Sequence, residues 1–132
     1  MADDITARRL AVWHRYHEAF AEWERKGVAR RPVVPPDCRH NAHLYYLLFE
    51  NQAHRTAVQS VVRAQGIDAV FHYVPLHSSP AGRRFGRSAG SLTVTERNAD
   101  RLLRLPLWAG MTDEHIGAVT EAVGHALVQA HA

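Results

Sequence analysis

Ten of the 132 residues are histidines, and four of them stand where chemistry could gather. His40 and His43 open an aromatic and aliphatic run, Ala42–Phe49. His72 ends a second run, and His77 follows in the loop beyond it. Imidazole ligates zinc, so the four could form a metal site if the two runs are neighbouring strands. Neither pair has the i, i+4 spacing of a helical ligand pair, however, and no carboxylate accompanies them. Backbone hydrogen bonding at a strand end is the plainer role for His40 and His43.

The stretch Phe71–Gly82 (FHYVPLHSSPAG) is richest in binding groups. A strand feeding a proline-stiffened loop is where α/β proteins place ligand contacts. His72, Tyr73, His77, Ser78 and Ser79 all hydrogen-bond, and suit sugar hydroxyls or phosphates. Pro75 and Pro80 lower the entropic cost of holding such a loop in one shape. Arg83, Arg84 and Arg87 surround Phe85 and form a local basic patch. That patch suits phosphate, or is simply a solvated surface. No helix-turn-helix, RRM or zinc-finger pattern supports nucleic-acid binding.

Several chemistries lack their residues. There is no P-loop, no GxGxxG, no GxSxG and no pair of carboxylates in apolar surroundings. Lys26 is the one lysine. It sits at a helix end after Glu24 and Arg25, whereas a Schiff-base lysine needs a desolvated or cationic cleft. Cys38, the one cysteine, is placed in a loop and cannot staple the fold, which fits a reducing cytoplasm.

The elements that must hold these groups follow from periodicity. Leu10, Trp13, Tyr16, Phe20 and Trp23 recur at spacings of three and four, which predicts one amphipathic helix over 3–26, stopped at Gly27. Pro32, Pro35 and Pro36 make 28–39 an extended connector. Strands are expected over 42–49 and 68–73. In the second, Val70 and His72 face one way and Ala69, Phe71 and Tyr73 the other. Between them, 53–65 reads as a helix with Val58, Val61 and Val62 inward and Gly66 closing it.

Residues 74–92 read as a long loop. Thr95 is the expected cap of a short helix ending at Leu102. Pro106 marks 103–107 as an edge or terminal strand segment. Thr112 is the expected cap of a last helix with the stripe Ile116, Val119, Val123 and Leu127. The sum is one α+β domain, a small antiparallel sheet with helices packed on it.

Composition agrees with one soluble domain. The formal charge is +3, a mild preference for anionic partners. No run of about 18 apolar residues predicts a membrane span, and the charged N-terminus is no secretory signal.

Three strings carry a resemblance: HNAHLYYLL (40–48), AVFHYVPLHSSPAGRRFGR (69–87) and RLLRLPLW (101–108). In order and spacing they resemble the C-terminal part of DegT/StrS-type nucleotide-sugar aminotransferases. RRLAVWHRYHEAF (8–20) is similar to the helix entering that family's small domain. The resemblance implies the small domain of a fold type I aminotransferase. Such an enzyme is usually a homodimer, using lysine-bound pyridoxal phosphate to move an amino group from glutamate to a dTDP-4-keto-6-deoxyhexose.

It also implies that the lysine and the cofactor contacts belong to a large N-terminal domain absent from these 132 residues. No cofactor is therefore expected on this chain alone, nor activity without that domain. The resemblance places His77, and less directly His72 and Tyr73, at the substrate, and puts Arg83–Arg87 near the nucleotide diphosphate. A chain parted from its large domain should show an apolar patch, with Trp13, Tyr16 or Trp23 contributing. A binding or regulatory domain for sugar nucleotides and a small histidine-rich metal protein are the alternatives.

Overall fold

The computed structural model describes residues 1–131. Two helices, α1 (Ala2–Ala19) and α2 (Ala21–Arg25), open the chain. The single helix expected over 3–26 is thus broken at Phe20, whose backbone lies at φ −93°, ψ 4°. The offset does not spoil the apolar face. Trp13, Tyr16 and Phe20 are buried, and Leu10 and Trp23 pack against the same core. Gly27 then takes φ +72°. Its N–H donates to the Glu24 carbonyl and that of Val28 to the Trp23 carbonyl, a Schellman closure that strongly favours glycine. Gly66, at φ +78°, closes the next helix in the same way, through Arg63 and Val62.

The connector is extended as expected. Arg30 forms a two-way bridge with Leu48, on the outer edge of strand β1 (Tyr45–Leu48). Helix α3 (Gln52–Ala64) is capped by Asn51, whose side-chain oxygen accepts the His54 N–H at 2.9 Å. Strand β2 is only Val70–Phe71, so His72 and Tyr73 lie just past it.

The expected long loop is partly helical. A 3-10 turn, Leu76–Ser78, leads into α4 (Pro80–Phe85). Pro80 suits the first turn because its missing N–H needs no partner there, and the Ser79 hydroxyl accepts the Gly82 N–H at 3.0 Å. Helix α5 (Thr93–Arg101) begins two residues before Thr95 and has no side-chain cap, so the Thr95 cap is not formed. Strand β3 (Leu102–Leu105) and helix α6 (Asp113–His131) end the fold. Thr112 does cap α6, accepting the His115 N–H at 3.3 Å.

The sheet order is β1-β3-β2, all antiparallel. Of the two expected placements, an edge is overturned, since β3 is the central strand, while Pro106 does mark the strand's end. Its register, Leu103 opposite Leu47 and Phe71, and Arg104 opposite Tyr46 and Val70, ends at Leu105. Pro106 falls one residue past the ladder, removes no donor from it, and accepts a 2.8 Å hydrogen bond from the Tyr16 hydroxyl.

One sheet face, with Ala69, Tyr45, Leu47, Leu103 and Leu105, joins the core with Val58 and Val62 of α3 and Val119, Val123 and Leu127 of α6. The other face carries Tyr46, Val70, Leu102 and Arg104, all half-exposed. Among the described residues no helix is long and apolar enough to cross a membrane.

Candidate functional site

The end of β2 brings most of the sequence-predicted groups to one region. His72 and Tyr73 leave the strand side by side, their rings 4.7 Å apart. Pro75 turns the chain into the 3-10 turn that carries His77. There the ring Nε2 lies 3.2 Å from Oε1 of Glu96, in the first turn of α5. A carboxylate only accepts hydrogen bonds, so Nε2 of His77 carries the proton and Nδ1 is left as an acceptor in the neutral ring.

Two hollows flank this pair. One, about 600 Å3, lies between His77, Arg83, Arg87 and Thr95. The other, about 640 Å3, lies between Arg55, Arg63, Phe71, Tyr73 and Glu96. The region offers a sugar or nucleotide aromatic faces, imidazoles and guanidinium groups.

The wall of the larger hollow is built around a buried cation that sequence reasoning missed. Arg55 is 7% exposed. Its Nε donates to the Asp100 carbonyl at 3.0 Å and one Nη to Gln59 Oε1 at 2.8 Å, and its guanidinium lies over the Phe71 ring. Gln59 passes the connection on, donating to the Ala69 carbonyl at 3.0 Å. The sequence signal was weak: an Arg and a Gln at i, i+4 on the apolar side of a helix.

The four histidines do not converge. Strand β3 separates β1 from β2. His40 packs edge-on against Trp13, and His43 turns back on Asn41 at 3.1 Å. Among the described residues no three His, Cys, Asp or Glu side chains are grouped to hold a metal.

Lys26 ion-pairs with Glu22 at 2.7 Å, is more than half exposed and lies over the Trp23 ring, which is helix-surface geometry. Cys38 is exposed. Arg83 and Arg84 lie on α4, with Arg84 over Phe85.

The exposed apolar surface is not where it was expected. Trp13 and Tyr16 are buried, and Trp23 packs on the core. Exposed apolar side chains include Phe71, Tyr73, Val74, Leu76, Phe85, Leu92 and Val94 on residues 71–94 around His77, with others such as Ile5, Val33, Trp108 and Val128 scattered elsewhere.

Two imidazoles are held below their ordinary value of 6.5. For His17 burial comes first, then the Arg31 charge; for His72 burial, then Arg104 and His43. The unfolded chain therefore takes up protons near pH 6.5 while the folded chain resists them. Stability should be full above about pH 6.5 and fall as the pH drops below it. Urea midpoints between pH 7.5 and 5 test this. The slope should flatten in the His17→Gln, His72→Gln double variant, and an equal slope in both proteins would refute it.

Solved structures share this architecture. An aminotransferase, TlmJ, from Streptoalloteichus hindustanus superposes with a TM-score of 0.83 at 25% identity, over 98% of this chain and 34% of that one. DesV of S. venezuelae, solved in complex with a ketimine intermediate, gives 0.80 at 30% identity, over 95% and 32%. By sequence the chain is 34% identical over 106 residues to a dTDP-3-amino-3,4,6-trideoxy-alpha-D-glucose transaminase of Streptomyces venezuelae, covering 80% of this chain and 26% of that protein. The chain thus spans about a third or less of each of these relatives. Residues 1–124 match the DegT/DnrJ/EryC1/StrS aminotransferase family along nearly the whole sequence, and the chain belongs to that family.

Proposed function

We propose that this chain is the small domain of a cytoplasmic nucleotide-sugar aminotransferase. In this reading it works only with a large domain, on the same or a separate chain, within a homodimer. The reaction is transfer of an amino group from glutamate to a dTDP-4-keto-6-deoxyhexose, as in a dTDP-4-amino-4,6-dideoxygalactose transaminase. The observation that carries the reading is the clustering of His72, Tyr73 and His77 at the end of β2 in a chain of this family.

The family's enzymes depend on pyridoxal phosphate, but the residues here do not fit it. The one lysine is exposed and paired with Glu22, and it lines neither hollow beside His77. The chemistry of amino transfer is accordingly assigned to the large domain. This chain's share is contact with the sugar. His77, with Nδ1 free to accept a hydroxyl proton, is the principal contact, and His72 and Tyr73 are secondary ones. The exposed apolar side chains around them are the surface the large domain would cover.

The experiment combines trapping with complementation. The chain is incubated with pyridoxal phosphate, reduced with borohydride and weighed intact, alone and with a separately produced large domain of a family enzyme. The expected result is no stoichiometric adduct on this chain, and amino transfer only in the mixture. A stoichiometric adduct on Lys26 would overturn the division of labour. Tight dTDP-sugar binding by the chain, with no activity in any mixture, would favour a binding domain, a role the hollow between His77 and Arg83 also suits.

A further inference from the structure

The half-exposed face of the sheet holds a guanidinium with nothing to bind. Arg104 is at the centre of that face, opposite Tyr46 on one side and Val70 on the other. Its Nε is buried without a hydrogen-bond partner, and so is Nδ1 of His72. Among the described residues no ion pair engages Arg104; its guanidinium lies 5.9 Å from the centre of the Tyr73 ring. A buried donor without an acceptor is costly, and more so on a charged group.

His43 and Asp68 share these surroundings. Arg104 and His43 both act on His72 with a sign that disfavours its protonation. Asp68 faces the same region, in a hollow of about 250 Å3 that His43, Val70 and Arg104 also line. It is exposed and forms no ion pair with Arg104.

We propose that this face is a binding site for a phosphoryl oxyanion, with Arg104 as its principal ligand and His72 as the second. Swinging Arg104 off the Tyr73 ring presents Nε–H and Nη–H side-on, the fork that matches an oxyanion bidentately. A terminal phosphoryl group has three free oxygens and can accept hydrogen bonds from both of these and from an N–H at His72 Nδ1 together; a phosphoryl within a sugar nucleotide has two, which match the Arg104 fork. A terminal phosphoryl carries between one and two negative charges near neutral pH and each phosphoryl of a sugar nucleotide carries one; in both the tetrahedral oxygens meet the guanidinium fork, with His72 beside it. The arginines of α4 lack these features. Arg83, Arg84 and Arg87 are on a short helix or just beyond it and have no buried unsatisfied donor. The phosphoryl site stands on these side chains alone; only its assignment to a nucleotide diphosphate rests on the function proposed above.

The test is NMR titration of the whole chain at constant ionic strength with inorganic phosphate, with glutamate and with dTDP. Phosphate should shift the His72 ring and Arg104 Nε–H signals saturably and raise the protonation midpoint of His72. Arg104→Gln should weaken phosphate binding about tenfold or more, while an Arg83→Gln, Arg84→Gln, Arg87→Gln variant should bind as the parent does. If Arg104→Gln fails to fold, Arg104→Lys keeps the charge without the fork and should still bind several-fold more weakly.

No saturable response to phosphate, or a response unchanged in both Arg104 variants, would overturn the site. A response to glutamate in its place would overturn the phosphoryl class. Phosphate binding that dTDP cannot displace would keep the site and remove the nucleotide as its source.

Discussion

Truncating Phe20 to alanine is expected to cost about 3–5 kcal/mol, a large part of the roughly 5–15 kcal/mol that holds a domain of this kind together. Phe20 is 1% exposed and sits at the joint where α1 passes into α2. Its ring lies 6.0 Å from Tyr16 and 6.1 Å from Tyr45. Tyr45 in turn packs against Trp13. One side chain therefore ties both N-terminal helices to the first strand.

The cavity left by alanine cannot close easily, because its walls include rigid aromatic rings on two separate elements, Tyr16 of α1 and Tyr45 of β1. Chemical denaturation of the parent and the variant measures the effect, with Phe20→Leu, which keeps most of the volume, losing much less. A loss under about 1 kcal/mol for alanine would show that the joint repacks.

Removing the Arg55 guanidinium should rank next, at about 3 kcal/mol, because hydrogen bonds to a charged group are each worth roughly 1.5–3 kcal/mol. Arg55→Ala strands Gln59 Oε1 in a buried setting, leaves the Asp100 carbonyl without this donor, and strips the cover from Phe71. The loss is expected to be uneven along the chain. Asp100 is at the end of α5, and α5 carries Glu96, which orients His77. Amide exchange across residues 93–101 should therefore accelerate more than exchange in α6. Arg55→Lys offers one ammonium group in place of a fork reaching in two directions, and should recover only part of the stability. Uniform acceleration in both helices would mean that Arg55 supports the whole core and not α5 in particular.

The parts of this fold legible in the sequence are those set by local periodicity. The stripe of α6 and the inward valines of α3 follow from spacing alone, and both glycine closures from the residue type. The order of the strands was not legible. Pro106 argued for an edge or a terminal segment without deciding between them, because a proline disrupts a ladder only from within it and where pairing stops is decided by the partner strands.

The turn and helix within 74–92 were hidden by a density of Pro, Gly and Ser that also describes a loop. The break at Phe20 has no proline or glycine to announce it. For the candidate site, the residue types at 72, 73 and 77 were visible. The partners Glu96 and Arg104 were not, because they come from elements some twenty to thirty residues away whose position depends on the sheet order. The expected contribution of Trp13 and Tyr16 to an exposed patch failed for a similar reason: they had no visible partner in sequence, but Tyr45 and Pro106 supply one in space.

The central position of β3 bears on how the chain folds as it is made. Strands β1 and β2 never pair with each other; among the strands each pairs only with β3, and β1 has the Arg30 bridge on its other edge. A nascent chain emerging in order therefore holds two short, unpaired edges until residues 102–105 have cleared the ribosome. Before then it can gain the helices up to α5 and the single Arg30–Leu48 bridge, but no strand ladder. Contacts that join distant parts of a sequence form slowly, and unpaired edges invite association in the meantime. Nascent chains halted before Leu102 should be sensitive to protease from Tyr45 onward, and protection should arrive in one step once β3 is free to insert between its two neighbours.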